Sequence, residues 1–336
     1  MGIRHLRGLR YAQAEQLRNL ACATAYFTGA GWAMSHMDRP GAVILLYHSV
    51  GGRGVFADNV ISEDVFERHM HFITQHRKAV PLSTILDAVL QGRDPDPEWV
   101  AVTFDDGYMD FATTSLPILE QYGIPATVFI PTVILKGGYL FFDQIEVWLR
   151  AAVGSRIEVR VGANFLKLPL RTPAQRRDAS LRLALGVREL APARRVAAMN
   201  AIQEASGAGS SIPPMSYLRP EDIARFPASV EVGSHSVSHY ALPQLDDEAL
   251  RAELADSLAA LRALRGIPAC YLAYPFGKTW AYDRRVAALA AEVGYEAALT
   301  TIPGRVRRDT DPYDIPRMAG VGNMARFRLA LMGVHI

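Results

Sequence analysis

The chain contains 336 residues, half of them hydrophobic and 9% aromatic, with 36 Lys and Arg against 34 Asp and Glu. This composition excludes collagen-like, coiled-coil and disordered chains, and a net charge of +2 lacks the basic excess typical of proteins that bind nucleic acid. Two cysteines, Cys22 and Cys270, are too few for a disulfide framework and have no CxxC spacing, so we expect a globular chain without a nucleic-acid partner.

Residues 1–40 form the first predicted segment. Four arginines between residues 4 and 18 precede an uncharged stretch over residues 19–37, which Thr, Ser and Gly make too polar to span a bilayer comfortably. We expect an amphipathic helix that packs on the domain or lies on a membrane surface. This favours a cytoplasmic or inner-membrane peripheral protein. A cleaved export signal, and therefore a periplasmic protein, is the alternative.

From residue 41 to residue 336, short apolar runs alternate with helical patterns, as expected when strands feed crossover helices in a largely parallel sheet. The predicted strands cover residues 43–47, 99–104, 126–130, 230–232, 270–273 and 296–300. Helices are predicted after Ser62, up to Gly123, along the leucine stripe of residues 250–264 that Gly266 ends, and from Asp283 to Gly294. This rhythm predicts one α/β domain over residues 41–336, built as a distorted (β/α) barrel.

An insertion at about residues 136–214 breaks the rhythm. It contains a predicted hairpin over residues 157–168 about Gly162, followed by helices that open at Thr172-Pro173 and near Pro192. Between residues 150 and 200, eleven basic residues stand against three acidic ones, an excess of eight. Two interpretations stay open, an ordinary solvated helix face and a surface that binds anions or faces a membrane.

The first motif that carries chemistry is Thr-Phe-Asp-Asp-Gly-Tyr at residues 103–108. It follows a predicted strand, at the end where parallel α/β folds present functional groups. Gly107 allows a sharp turn, so Asp105 and Asp106 can converge on one site instead of alternating across the sheet. The alternative is an ordinary loop with two solvated acids.

The second motif, Gly-Ser-His-Ser-Val-Ser-His at residues 233–239, also follows a strand. Histidines at i and i+4 lie on one face of a helical turn, so His235 and His239 are spaced to bind one divalent cation. A lone HxxxH is more often a pair of surface residues. The carboxylate pair after a neighbouring strand favours a metal site.

The third motif is Ala-Tyr-Pro-Phe-Gly at residues 273–277, again just after a strand. Pro275 and Gly277 mark a loop that can aim a backbone N–H at a developing oxyanion, while Tyr274 and Phe276 can stack on a sugar ring. A plain aromatic turn is the alternative for this motif alone.

Together the three motifs resemble the polysaccharide deacetylases that carry a NodB homology domain, carbohydrate esterase family four. The resemblance covers roughly residues 43–318, interrupted by the insertion, and Tyr-His-Ser-Val at residues 47–50 is similar to the opening strand of family members. It implies a distorted (β/α) barrel of the NodB type and removal of acetyl from an N-acetylated amino sugar.

By this resemblance, Asp105 is the general base, and Asp106, His235 and His239 bind a divalent metal ion. Zn²⁺ is the default for such a ligand set, and other first-row divalent cations fit the same ligands. Three protein ligands leave a position for water or for the acetyl oxygen. The candidates for contact with the substrate or the oxyanion are Tyr108, Tyr274, Pro275 and Phe276.

The sequence departs from the family pattern in two places. Many members carry Arg two residues before the Pro of the third motif, where it steadies the base carboxylate, and here Ala273 stands there. Arg317, after a late strand, is the candidate substitute. No clear LxH motif near the C-terminus supplies the family's general-acid histidine. His48, at the end of the first strand, is therefore the candidate acid, with a purely structural histidine as the alternative.

Three hypotheses follow for the function. The first is a metal-dependent N-deacetylase acting on an amino sugar of a bacterial polysaccharide or of a lipid-linked glycan precursor, with peripheral membrane contact as an option. The second is a related amide or ester hydrolase with a non-carbohydrate substrate. The third is a glycan-binding homologue that has lost turnover, which the missing Arg and the uncertain acid would explain.

Overall fold

A computed structural model describes residues 40–52, 60–209, 216–265 and 271–332. Its strands are β1 (Val43–Tyr47), β2 (Ser49–Val50), β3 (Val60–Ile61), β4 (Lys78–Ala79), β5 (Trp99–Phe104), β6 (Ala126–Ile130), β7 (Arg156–Val161), β8 (Asn164–Pro169), β9 (Val230–Ser234), β10 (Tyr271–Ala273), β11 (Ala297–Leu299) and β12 (Met318–Ala319). Its α-helices are α1 (Glu63–His76), α2 (Leu82–Leu90), α3 (Leu116–Tyr122), α4 (Phe141–Ala151), α5 (Pro173–Val187), α6 (Pro192–Ser206), α7 (Pro220–Ala224), α8 (Asp247–Arg265), α9 (Arg284–Val293) and α10 (Met324–Leu331). Shorter turns are a π-helical segment Phe111–Ser115 and 3₁₀ segments Thr132–Lys136 and Leu242–Gln244.

A parallel sheet of eight strands forms the centre of the fold. Its order is β11-β10-β9-β6-β5-β1-β12, and β4 pairs with the first residues of β5. The strands β1 and β6 are mainly apolar and are buried along their whole length, as is usual when helices cover both faces of a parallel sheet. The predicted α/β class is confirmed, and the sheet is a parallel half-barrel rather than a closed barrel, because no pairing joins β11 to β12 among the described strands.

Both ends of α9 follow local sequence signals, whereas the predicted cap of α1 does not form. Asp283 caps α9 by accepting the N–H of Val286 at 2.8 Å, and Gly294 ends the helix with a φ of +106°. Ser62 stands before α1 as predicted, but its side chain makes no cap bond to the helix backbone. Its hydroxyl donates to the carboxylate of Asp64 instead.

The insertion folds as a hairpin and three helices. Strands β7 and β8 pair in antiparallel fashion about Gly162, whose φ is +58°. Thr172 caps α5 by accepting the N–H of Gln175 at 3.2 Å, and Pro192 opens α6. Helix α4 packs against both α5 and α6. The hairpin and both helix starts lie where the sequence predicts them.

Two arginines of the insertion, Arg176 and Arg195, have structural contacts and do not contribute to a free basic surface. The Arg176 guanidinium donates to the carbonyl oxygens of Leu149, Arg150 and Ala152, at the end of α4. Arg195 is 4% exposed. The predicted basic surface is therefore reduced to the remaining arginines, since a guanidinium that holds helix carbonyls is a structural group.

The predicted N-terminal helix lies outside the described residues, as do Gly266 and Cys270. Of the helices that the structure describes, none combines the length and the apolar content needed to cross a bilayer.

Candidate metal centre and active site

The two aspartates of the first motif lie where β5 ends. The Asp105 N–H still donates to the Tyr47 carbonyl at 3.0 Å, so Asp105 continues the pairing with β1. Asp106 and Gly107 then take left-handed conformations, with φ of +74° and +66°. A Cβ on residue 107 would also lie 2.7 Å from Ile134 Cδ1, so glycine is favoured here by both its conformation and the space. This turn brings both carboxylates to the same end of the sheet.

The second motif is a loop, and the helical turn predicted from the HxxxH spacing is wrong. Ser236 and His239 have φ of +62° and +54°, which interrupts any right-handed helix. His235 remains tied to the sheet, because its N–H donates to the Ile130 carbonyl at 3.0 Å. The two histidines converge because the loop folds back, and spacing alone does not encode this.

Residues far along the chain hold this loop, and sequence reasoning missed them. One Glu253 carboxylate oxygen of α8 accepts the N–H groups of Val237 and Ser238, both at 2.9 Å. Ser257 of the same helix donates to the Ser236 carbonyl at 3.0 Å. The only signal in the sequence was that α8 carries Glu and Ser between its buried leucines, which many surface helices do.

Asp106, His235 and His239 form a buried three-ligand group. Asp106 Oδ1 lies 3.6 Å from His235 Nε2 and 3.4 Å from His239 Nε2, and the three ligand atoms all lie within 4.8 Å of one another. Two ligands at ~2.0–2.1 Å from one tetrahedral ion are separated by roughly 3.4 Å, so these distances fit a metal.

The hydrogen bonding of these residues also fits a cation. Asp106 Oδ1 is buried without a hydrogen-bond partner, which leaves a carboxylate lone pair free. His235 Nδ1 lies 2.7 Å from the Ala273 carbonyl oxygen, and since that oxygen only accepts, Nδ1 carries the proton. Nε2 therefore presents its lone pair towards Asp106, the arrangement that metal-binding histidines use.

Asp105 forms a buried bidentate pair with Arg317. The two terminal guanidinium nitrogens donate to the two carboxylate oxygens at 2.8 and 2.7 Å, while Arg317 Nε donates to the Thr300 carbonyl at 2.8 Å. Arg317 is 1% exposed and directly precedes β12, beside β1. Asp105 also lies 4.0 Å from His235 Nε2, next to the three ligands.

The fold gives the two carboxyl groups opposite proton affinities. Burial alone would raise the pKa of Asp105, but Arg317 and His235 oppose burial and hold it below its usual value. Burial, with repulsion from Asp105 and Asp143, raises the pKa of Asp106 well above its usual value. A bound cation would stabilise the charged form of Asp106, so the group is suited to a ligand.

Both histidines of the group favour the neutral form that binds metals. Burial is the largest cause that lowers the pKa of His235. Burial, His235 and Arg195 lower the pKa of His239 well below its usual value. Neutral imidazoles keep Nε2 available as a ligand over a wide pH range.

Phe276 supplies a free donor beside the group. Its φ is +64°, and its backbone N–H has no hydrogen-bond acceptor among the described residues. Its ring centroid lies 4.7 Å from that of His239. A strained backbone with an unpaired N–H at a functional site is a candidate oxyanion donor.

The other residues of the third motif are less accessible. Tyr274 is 0% exposed, stacks on Tyr282 at 4.6 Å and donates its hydroxyl to the Tyr313 carbonyl at 3.0 Å. Because it has no free surface, the prediction that Tyr274 stacks on a sugar is wrong. Pro275 is buried too, and its contact with substrate stays a prediction.

Tyr108 belongs to a buried cluster that sequence reasoning missed. The Tyr108 and Tyr217 hydroxyls donate to the same Asp143 oxygen, at 3.0 and 2.5 Å. Burial raises the pKa of Asp143 to about 7. The cluster joins α4 of the insertion to the first motif. Since Tyr108 is 6% exposed, its predicted contact with substrate stays a prediction.

His48 lies within electrostatic reach of the site. Burial lowers the pKa of its imidazole to about 4, with Arg317 and His235 adding to the effect and Asp105 opposing it. The side chain is half-buried and follows β1 directly. Near pH 7 it is therefore neutral, and it must take up a proton before it can donate one as an acid.

Comparison with known proteins agrees with the fold. A family model described as polysaccharide deacetylase matches residues 92–145 and 199–298. The match includes Asp105, Asp106, His235 and His239, and it is interrupted across most of the insertion. The chain belongs to the polysaccharide deacetylase family.

Individual relatives are distant in sequence. The Bacillus subtilis (strain 168) protein YxkH, named as a polysaccharide deacetylase, is 21% identical over 279 residues, which are 82% of this chain and 70% of YxkH. The Streptococcus pyogenes deacetylase PplD, solved with acetate, is 17% identical with a TM-score of 0.59, covering 88% of this chain and 99% of PplD. IcaB from Ammonifex degensii is 16% identical with a TM-score of 0.55, covering 88% and 99%. At these identities the solved structures establish the shared fold.

Proposed function

We propose that the protein is a metal-dependent hydrolase that removes N-acetyl groups from an amino sugar of a bacterial polysaccharide or of a lipid-linked glycan precursor. The observation that carries the proposal is the buried convergence of Asp106, His235 and His239 beside the Arg317-bound carboxylate of Asp105. Membership of the deacetylase family supports acetylated carbohydrate as the substrate class.

The three ligands would hold a divalent ion, with Zn²⁺ as the default. When bound, such an ion supplies Lewis-acid activation of water and of the acetyl carbonyl. Asp105 accepts the proton of the attacking water as general base, since Arg317 keeps its carboxylate ionised. The same pair fixes the carboxylate in the plane of the guanidinium, so the base does not rotate away from the ligands.

The remaining groups have complementary roles. The Phe276 N–H donates to the carbonyl oxygen as negative charge develops on it. The amine leaving group needs a proton, and His48 is our candidate donor once it has taken up the proton that Asp105 accepts from the water. The partly buried side chain of Phe276 is the candidate contact for the sugar ring, with Pro275 and Tyr108 more deeply buried.

The experiment that tests the proposal combines metal analysis with acetate release from N-acetylglucosamine oligomers. We expect the purified protein to hold close to one divalent ion and to release acetate, and Asp105→Asn to retain metal without turnover. Absence of metal after loading with several cations would contradict the proposal.

The same experiment distinguishes the two alternatives. Metal with turnover only on non-carbohydrate amides or esters would favour the related hydrolase. Metal without turnover on a broad panel would favour the glycan-binding homologue. The Arg317 pair weakens the argument for the latter, because Asp105 has a guanidinium partner despite Ala273.

A further inference from the structure

The insertion contributes a buried arginine that contacts the backbone of a residue in the metal centre. Arg195 of α6 is 4% exposed, and its guanidinium carbon lies 4.0 Å from the centroid of the Phe141 ring and 4.4 Å from that of the Tyr240 ring. These two cation–π contacts hold the planar group, and its edge remains able to donate hydrogen bonds.

That edge is directed at a metal ligand. The two terminal nitrogens of Arg195 lie 3.4 and 3.3 Å from the carbonyl oxygen of His239 and donate to it. No carboxylate of the described residues forms an ion pair with the guanidinium, and its Nε has no hydrogen-bond partner there. Burial lowers the pKa of Arg195 to about 10, and Tyr240 and Glu253 oppose this effect only in part. Burying this cation is therefore costly, and its contact with His239 is a compensating role.

Of the two histidine ligands, His239 has the less favourable backbone conformation, and among the described residues its ring has no counterpart of the hydrogen bond that fixes the ring of His235. Its φ of +54° is a left-handed conformation that costs a non-glycine residue ~1 kcal/mol or more. Its Nδ1 is buried without a hydrogen-bond partner, whereas Nδ1 of His235 is fixed by the Ala273 carbonyl. The backbone is what holds His239: its N–H donates to Ser236 Oγ at 3.2 Å, and its carbonyl accepts from Arg195.

We propose that Arg195 is a positioning residue for the metal ligand His239, an inference that rests on the proposed metal-dependent function. By holding the carbonyl of a strained residue, Arg195 fixes where the His239 imidazole lies relative to Asp106. The insertion is then part of the metal centre, and not an addition at the edge of the fold.

A role through charge and a role through positioning predict opposite changes in metal affinity, so measuring metal affinity tests the proposal. A positive guanidinium near a divalent ion repels it, so loss of the charge alone would tighten metal binding. Loss of a positioning contact weakens metal binding, typically by ~10–100-fold for groups that orient ligands. The sign of the change therefore separates the two effects.

The experiment compares Arg195→Met with Arg194→Met. Arg194 is the preceding residue of the same helix and is exposed, so the pair removes the same charge from adjacent positions. The dissociation constant of Zn²⁺ and of Co²⁺ is measured by competition with a chelator. Backbone hydrogen exchange of residues 236–240 is measured in the metal-free proteins, which gives a readout that does not depend on metal or activity.

We expect Arg195→Met to raise the metal dissociation constant about tenfold or more and to speed exchange at residues 236–240, while Arg194→Met matches the parent. A tighter or unchanged constant with unchanged exchange would overturn the inference. If Arg195→Met does not fold, Arg195→Lys replaces it. The Arg195→Lys variant keeps the positive charge but loses the planar guanidinium. If its metal dissociation constant and exchange rates equalled those of the parent, the inference would also be overturned.

A parent protein that binds no metal would refute the proposed function, and the exchange measurement would still decide the role of Arg195.

Discussion

Asp105 and Asp106 are neighbours in the chain, yet their carboxylates have opposite surroundings. Asp105 faces a guanidinium that opposes the effect of burial and lowers its pKa, whereas burial and repulsion from Asp105 and Asp143 raise the pKa of Asp106. Two carboxylates with divergent pKa values in one site are typical of a division into base and ligand. The left-handed turn at residues 106–107 produces this divergence, because it sends consecutive side chains to different partners.

Substitution of the two aspartates should therefore separate metal binding from turnover. Asp106→Ala removes a charged oxygen ligand, and we expect loss of both metal and activity. Asp105→Asn keeps the size of the side chain but cannot accept a proton, so we expect metal to remain while turnover falls by ~10² or more. Metal content by elemental analysis and initial rates check both variants. Equal loss of metal in the two would mean that Asp105 is also a ligand.

Arg317 should determine the pH below which kcat/KM falls. Arg317→Met removes the group that lowers the pKa of Asp105, so that pKa rises and the base is protonated at higher pH. We expect the acid limb of the pH profile of kcat/KM to move to higher pH and the maximal rate to fall. Breaking a buried pair also destabilises the fold by ~3–5 kcal/mol, which urea unfolding checks. The exposed Arg308, which pairs with Asp94 at 3.7 Å, gives the control Arg308→Met. An acid limb that stays at the parental pH would contradict the role of Arg317.

At the scale of helices and strands, the features that the sequence predicts are those whose causes lie within a few residues. Strands β5 and β6 and both ends of α9 match their sequence signals, because a run of apolar residues, an Asp cap and a terminal Gly act within a few residues. The second motif could not be predicted as a loop, because Glu253 of α8 determines its shape through contacts 15 and 16 residues away. Arg195 and Asp143 were missed for the same reason, since only the folded insertion brings them to the site.

The packing of α1 against α10 and β1 should make stability depend on pH. His69 of α1 is fully buried, stacks on Phe327 at 3.6 Å and lies 3.1 Å from the Tyr47 hydroxyl. Burial, with a smaller contribution from Arg68, lowers the pKa of its imidazole to about 3. The unfolded chain therefore binds a proton that the folded chain excludes between about pH 6.5 and pH 3. Stability from this group is complete above pH 6.5 and is lost as the pH falls.

The measurement is urea unfolding of the metal-free protein at pH 6.5 and pH 5. At ~1.4 kcal/mol per pKa unit, His69 should account for roughly 2 kcal/mol of lost stability between these values. His69→Gln should flatten the dependence by about that amount. His71→Gln, an exposed position of the same helix, should leave it unchanged. Parallel pH dependences for the parent and His69→Gln would show that His69 titrates normally.

At the scale of the whole molecule, the insertion has two different surfaces. Its inner surface reaches the metal centre through Arg195 and Asp143, whereas its outer surface carries apolar and basic side chains. Of the five large hydrophobic side chains that the structure describes as exposed, four lie in the insertion: Val153, Phe165, Leu185 and Val196. These side chains share one segment of the chain with exposed arginines, and an anionic glycan or membrane is the partner that fits this composition.

If the outer surface attracts an anionic partner, its contribution should weaken as salt rises, because exposed charges are screened beyond ~8 Å at physiological ionic strength. We expect the triple variant Arg171→Gln, Arg177→Gln, Arg182→Gln to hydrolyse a neutral acetylated oligomer at the parental rate. Its binding to anionic phospholipid vesicles at low salt, measured by co-sedimentation, should weaken. Arg176 is excluded from this set, because it holds the end of α4 and its loss would reduce stability.

A charge-matched control separates the outer surface from net charge. The variant with Arg93, Arg251 and Arg308 replaced by Gln removes the same charge from exposed positions outside the insertion. If attraction depends on the local field of the insertion, this control should bind vesicles as the parent does, since distant charges are screened. Equal weakening in both triple variants would mean that only net charge matters. Unchanged binding in both would mean that the arginines of the insertion are an ordinary solvated surface.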